Sequence, residues 1–161
     1  MQLTANLIEI RQREIFPATV DIKDGKVIQV RRFGSNPDDS LPFVLPGFVD
    51  AHIHIESSML VPSEFSRLAT RHGTVAVVTD PHEIANVLGV TGIDFMIDNA
   101  KNTPLKCFFG APSCVPATSF ETSGATIDAA AIGQLLQRDD IYFLAEMMNY
   151  PGVLSGDVEV L

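Results

Sequence analysis

Hydrophobic and polar positions follow two regimes along the chain. Up to about residue 35 they alternate with the period of half-buried strands: Ala18–Ile22 is built around Val20 and Ile22, and Lys26–Val30 around Val27, Ile28 and Val30. Between them Asp24-Gly25 supplies the positive-φ positions of a tight hairpin, so a small antiparallel sheet is expected. Gly34–Pro42 is polar and rich in chain breakers and reads as a connection. Beyond it strand and helix patterns alternate. Leu45–Ile55 is strand-like, with Pro46 and Gly47 interrupting its start. Pro62 suits a first helical turn, and Phe65, Leu68, Ala69 and His72 follow on one predicted face, with Gly73 as the stop. Thr74–Thr79 is a β-branched strand, and a short helix is expected over Ile84–Leu88. Thr91 and Asp94 resemble a capping box ahead of Ile93, Met96, Ile97 and Ala100. Pro104 blocks that helix, and Leu105–Phe109 is the third strand of this part. Thr126 is the expected cap of a helix carrying Ile132, Leu135 and Leu136, and Ile141–Ala145 is the fourth strand, ending at Glu146. Four strand–helix alternations of this kind predict an α/β fold with a parallel sheet.

Composition narrows the partners. The 161 residues are 46% hydrophobic and 19% charged, in the range of a chain that buries a core. Twenty acidic residues against 11 basic ones give a net charge of −9, which disfavours nucleic acid or an anionic membrane surface as partner. Cys107 and Cys114 are too few for a disulfide scaffold and point to a reducing compartment. Met1–Ile10 contains Glu9 and lacks a basic start, so no signal peptide is expected and the location expected is cytoplasmic. No run approaches the roughly 18 apolar residues of a membrane span.

The densest chemistry lies in Asp50-Ala51-His52-Ile53-His54-Ile55-Glu56. On a strand, His52 and His54 share one face while Ile53 and Ile55 take the other. Two neutral imidazoles placed side by side can hold one divalent ion; the plainer alternative is a pair of half-exposed histidines on an edge strand. Asp50 and Glu56 share the histidines' parity if the strand stays regular. Asp80, His82 and Glu83 follow the second strand of this part. They suit a second metal shell, an accessory ion site or part of a substrate pocket, or else a turn with an acidic helix start. His72, beside Gly73, suits packing or a helix C-terminus. Cys114, between Pro112 and Pro116, suits a buried inert thiol, with a pocket role as the lesser alternative. Asn149-Tyr150-Pro151-Gly152 reads as a turn after the fourth strand.

Pro46-Gly47-Phe48-Val49-Asp50-Ala51-His52-Ile53-His54 resembles the first barrel strand of the amidohydrolase superfamily of metal-dependent hydrolases. Within it, Ile55–Leu60, Asp80–Gly89, Pro112–Ala117 and Ala145–Asn149 are similar, in order and spacing, to the adenine deaminase family. The resemblance implies the first half of a TIM-like (β/α)8 barrel over residues 42–161, preceded by part of a small β-sandwich domain over 1–41. It implies hydrolysis of adenine to hypoxanthine and ammonia in purine salvage, with a binuclear divalent centre: manganese or iron first, zinc as a third option. His52 and His54 would hold one ion. Glu146 would bridge to the second where many members use a carboxylated lysine, and would be the catalytic residue within the chain. Lysines stand only at 23, 26, 101 and 106, and none ends the fourth strand. Glu56, Asp80, His82 and Glu83 would be substrate-binding or outer-sphere groups. The His-x-Glu and Pro-Cys-x-x-Cys pattern of nucleic-acid deaminases is absent.

The chain departs from the family in having no histidine after His82. Relatives complete the metal site from strands five to eight, and residues 42–161 are about half of the ~250 of a whole barrel. An N-terminal fragment, inactive by itself, is therefore expected, with the full-length enzyme a homo-oligomer acting on a small molecule. The alternatives are a cyclic-amide hydrolase of the dihydroorotase or hydantoinase kind, and a non-catalytic metal-binding or oligomerisation module.

Overall fold

Asp24 and Gly25 both take positive φ, 52° and 73°, and form the two-residue turn that joins β2 (Glu14–Lys23) to β3 (Lys26–Arg32). With β1 (Gln2–Glu9) and the short β4 (Phe43–Val44) they make one mixed sheet in the order β3-β2-β1-β4, antiparallel except for the β1–β4 pair. The computed structural model describes all 161 residues and divides into two units, Met1–Pro46 and Gly47–Leu161. The division falls five residues beyond the boundary expected at residue 41, because Phe43 and Val44 pair with Asn6 and Leu7 and so belong to the first sheet. Ala5, Phe16, Ala18 and Val20 are its buried apolar residues. The connecting segment is tied down as well: the Asn6 side chain bonds to the backbone of Asp38 and Leu41.

In the second unit β5 (Phe48–Ile53), β6 (Thr74–Thr79), β7 (Lys106–Ala111) and β8 (Ile141–Leu144) form a parallel sheet in sequence order. Between them run α1 (Pro62–Ala69), α2 (His82–Leu88), α3 (Val90–Ala100) and α4 (Ala129–Leu135); α5 (Tyr150–Ser155) follows β8. Val77, Phe109 and Ile141 of the strands share one core with Ile93, Met96 and Ile97 of α3. No helix is long and apolar enough to cross a membrane.

Several local expectations shift. The first strand of this sheet begins only at Phe48 and ends at Ile53, after which Ile55–Ser58 is a 3-10 turn closed by Met59 at φ 60°. Gly47 is needed before it because a Cβ there would lie 2.2–3.0 Å from the Val75 side chain. On α1 the buried stripe contains Pro62 and Ser66, while Leu68 is 54% exposed. The chain then tightens into a 3-10 turn over Thr70–His72, which carries His72 off the predicted face and into solvent. Helix α2 begins at His82, two residues earlier than expected. Gly89, not Thr91, is the N-cap of α3, and Asp94 lies inside the helix with its carboxylate 2.6 Å from Arg138. Asp128 rather than Thr126 caps α4, accepting from the Ala131 N–H at 2.8 Å. Asn149 caps α5, so the expected turn is a helix start.

Candidate metal centre

His54 is the first residue after β5, yet its φ of −109° and ψ of 103° are still extended. Strand alternation therefore reaches one residue further, and both imidazoles project to one side, with Nε2 atoms 3.2 Å apart. Ile55 goes the other way into the core. Glu56 falls out of this phase because the 3-10 turn has begun; its Oε1 accepts the Ile84 N–H at 3.3 Å. Asp50 turns back on its own strand and accepts the His52 N–H at 3.2 Å.

Glu146, two residues beyond β8, brings Oε1 to 3.2 Å from His54 Nε2 and 3.7 Å from His52 Nε2. Asp80 leaves the end of β6 and is 4% exposed. Its backbone carbonyl lies 2.9 Å from His54 Nδ1. A carbonyl can only accept, so Nδ1 carries the proton, and in the neutral ring Nε2 is left with its lone pair free for an ion. The Asp80 carboxylate accepts in turn from His82 Nδ1 at 2.9 Å, which aims the other ring nitrogen outward in the same manner. Ligand atoms of His54, Asp80, His82 and Glu146 all lie within 4.8 Å of one another. They gather at the C-terminal ends of parallel strands, where α/β sheets place their ligands. A cavity of about 200 Å³ adjoins them, lined by His52, Val78, Asp80, Phe143 and Glu146 among others.

Behind this cluster, Ser57 Oγ donates to Glu83 Oε1 at 2.5 Å, and Glu83 Oε2 lies 3.8 Å from His54 Nδ1. Burial, with the Glu83 charge adding to it, pushes the Glu56 carboxyl above its ordinary range. The Asp80 hydrogen bond holds the His82 imidazole above its ordinary value against the opposing effect of burial.

The sequence profile of the amidohydrolase family matches residues 43–159, most of the chain and all of this cluster. The chain belongs to the amidohydrolase family. Among curated relatives it is 56% identical over 161 residues to the adenine deaminase of Sulfurovum sp. (strain NBC37-1), covering 100% of this chain and 30% of that protein. It is 52% identical to the adenine deaminase of Borreliella burgdorferi, covering 99% of this chain and 29% of the relative. For the adenine deaminase of Methanosarcina acetivorans the figures are 52%, 96% and 28%. The chain thus spans about 30% of the length of the curated relatives it matches.

In this amidohydrolase chain the structure brings His52, His54 and Glu146 together and adds Asp80 and His82 to the same cluster. Glu56 and Glu83 sit one layer behind, against the start of α2. The Asp80–His82 pair was legible only as a spacing. Its place depends on a backbone carbonyl meeting a ring 26 residues away in sequence. Ser113, next to the strand end that bears Glu146, carried no chemical signal in the sequence beyond its place in the matched stretch, whereas Cys114 is buried, as expected from its place between Pro112 and Pro116.

The donors suit a divalent cation. Two ligands about 2.1 Å from one tetrahedral ion stand roughly 3.4 Å apart, and the His52, His54 and Glu146 atoms are separated by 3.2, 3.2 and 3.7 Å. His54 Nε2 and the Glu146 carboxylate oxygen face each other at 3.2 Å, an arrangement that a shared cation satisfies. Asp80 Oδ1 is buried without a hydrogen-bond partner, as a ligand oxygen can be.

Proposed function

We propose that the protein built from these residues hydrolyses adenine to hypoxanthine and ammonia, a purine-salvage reaction, using a binuclear divalent centre. The observation that carries this is the triangle of His52, His54 and Glu146 donors at the ends of β5 and β8. The substrate assignment is supported by the relatives' name, adenine deaminase. His52 and His54 would hold one ion and Glu146 would bridge to a second. Manganese or iron fits this set of imidazole and carboxylate donors, with zinc as the third choice. When bound, the metal supplies Lewis acidity that brings the pKa of a water toward neutrality.

The protein's own groups do the rest. The Asp80 carbonyl fixes the His54 tautomer, and the Asp80 carboxylate fixes that of His82. Val78 and Phe143 offer an apolar wall to a planar neutral base. We read the second unit as the first four strand–helix units of an eight-stranded barrel. The first unit is read as part of a small β-sandwich. On this account the protein is cytoplasmic and the 161-residue chain is inactive alone.

The test is ammonia release from adenine by the complete gene product carrying these residues, loaded in turn with Mn2+, Fe2+ and Zn2+. Glu146→Gln and His54→Ala are each expected to lower kcat/KM by at least about 100-fold, the cost of losing a group that stabilises the transition state. Turnover of a dihydropyrimidine ring in place of adenine, or no ammonia with any of the three metals, would overturn the assignment.

A further inference from the structure

Glu146 lies where the sheet has stopped holding the chain. The last backbone hydrogen bond between the two strand ends runs from the Ala145 N–H to the Ala111 carbonyl at 2.8 Å. The next residue on the β7 side is Pro112, which has no N–H to continue the ladder. Side chains take over from there. Ser113 Oγ donates to the Glu146 carbonyl at 2.5 Å, and the Met148 N–H donates to Cys114 Sγ at 3.3 Å. Ser113 and Cys114 are 9% and 8% exposed, whereas the Glu146 side chain is 42% exposed. Packing around the carboxylate therefore does little to fix it; the anchored backbone on either side of it does.

We propose that Ser113 and Cys114 are positioning residues for Glu146: their side chains extend the β7–β8 ladder past Pro112 and hold the carboxylate at the distance from His52 and His54 that a shared metal ion requires. This rests on the bridging role proposed for Glu146. The hydroxyl has one proton to donate, and the Glu146 carbonyl accepts it in the shortest of the contacts Ser113 Oγ makes. A serine fits this place because its donor reaches across the gap while Pro112 lets the loop leave the sheet. The sulfur of Cys114 serves as a soft acceptor for the Met148 N–H, so its part is structural and needs no thiolate. Groups that orient a metal ligand from behind typically change metal affinity 10–100-fold when removed.

The experiment is a calorimetric Mn2+ titration of the metal-free complete gene product carrying these residues and of its variants, with circular dichroism to compare folding. Ser113→Ala is expected to weaken Mn2+ binding about 10-fold, and Ser113→Thr, which keeps the hydroxyl, to recover most of that loss. In a Glu146→Gln background, Ser113→Ala should change Mn2+ affinity no further, because its effect passes through the carboxylate. Should Ser113→Ala fail to fold, Cys114→Ala taken through the same cycle carries the test, with the same expectation. Unchanged Mn2+ affinity in the folded single variant overturns the positioning role, as does an equal loss with and without Glu146. Wild-type Mn2+ affinity in Glu146→Gln alone overturns the bridging role and this inference with it, a result distinct from the other two.

Discussion

Asn6 is fully buried, and its amide is paired throughout. Nδ2 donates to the carbonyls of Asp38 and Leu41 at 2.8 and 3.2 Å, and Oδ1 accepts the Asp38 N–H at 2.9 Å. One strand residue thus satisfies three backbone groups of the segment after β3, which the sequence presents only as polar and breaker-rich. Asn6→Ala strands those groups and should cost about 1–3 kcal/mol, seen as a lower urea midpoint. Asn6→Asp should not recover it, since a carboxylate cannot donate to the two carbonyls; an unchanged midpoint in the alanine variant would remove Asn6 from this role. The contrast with His52 and His54 is instructive. Their shared face follows from period-two geometry alone, so they were legible from spacing. Asp80 and Ser113 act through contacts with residues 26 and 33 positions away, which no local pattern encodes, and His82 is placed by its hydrogen bond to Asp80.

Among the elements, β6 occupies the Thr74–Thr79 read from its β-branched run, and the buried face of α3 is the expected Ile93, Met96, Ile97 and Ala100. Helix starts were less legible, because several residues near each start can cap it and backbone direction selects one. For α4 the choice is testable. Asp128→Ala should lower stability by about 1 kcal/mol in urea unfolding, and Thr126→Ala should leave it nearly unchanged; the reverse order would restore Thr126 as the cap. Asp94, misread as part of a capping box, instead joins Asp140 around Arg138, at 2.6 Å from Asp94 and 2.8 Å from Asp140. The Arg138 hydrogen bond holds the Asp140 carboxyl below its ordinary 3.8. A depressed carboxylate pKa stabilises the fold above 3.8 and loses that contribution as pH falls through the folded value. Arg138→Met should therefore flatten the acid limb of the stability profile, followed by urea unfolding from about pH 6 to 2. These pairs are partly exposed, so the loss at neutral pH should stay below about 1 kcal/mol. A variant with the wild-type acid limb would show that the network does not set it.

Across the molecule, burial is uneven, and hydrogen exchange should follow it. Every residue of β3 is exposed, and β3 is an edge strand of a sheet whose buried apolar residues are few and small apart from Phe16 and Val20. β6 and β7 are the inner strands of their sheet, with Ala76, Val77, Phe109 and Ala111 buried. Local opening costs little where few apolar contacts break and approaches the global value at a sheet centre. The amides of β6 and β7 should therefore exchange slowest and those of β3 among the fastest. Val27, Ile28 and Val30 are exposed on β3, which raises the question of a second copy pairing there. Lys26, Arg31 and Arg32 place cations along the same seven residues, the usual means by which an edge strand resists pairing with its like. Protection of β3 should then stay flat as protein concentration rises. Protection that grows with concentration would mean that β3 pairs with another copy, and that its apolar residues outweigh its charges.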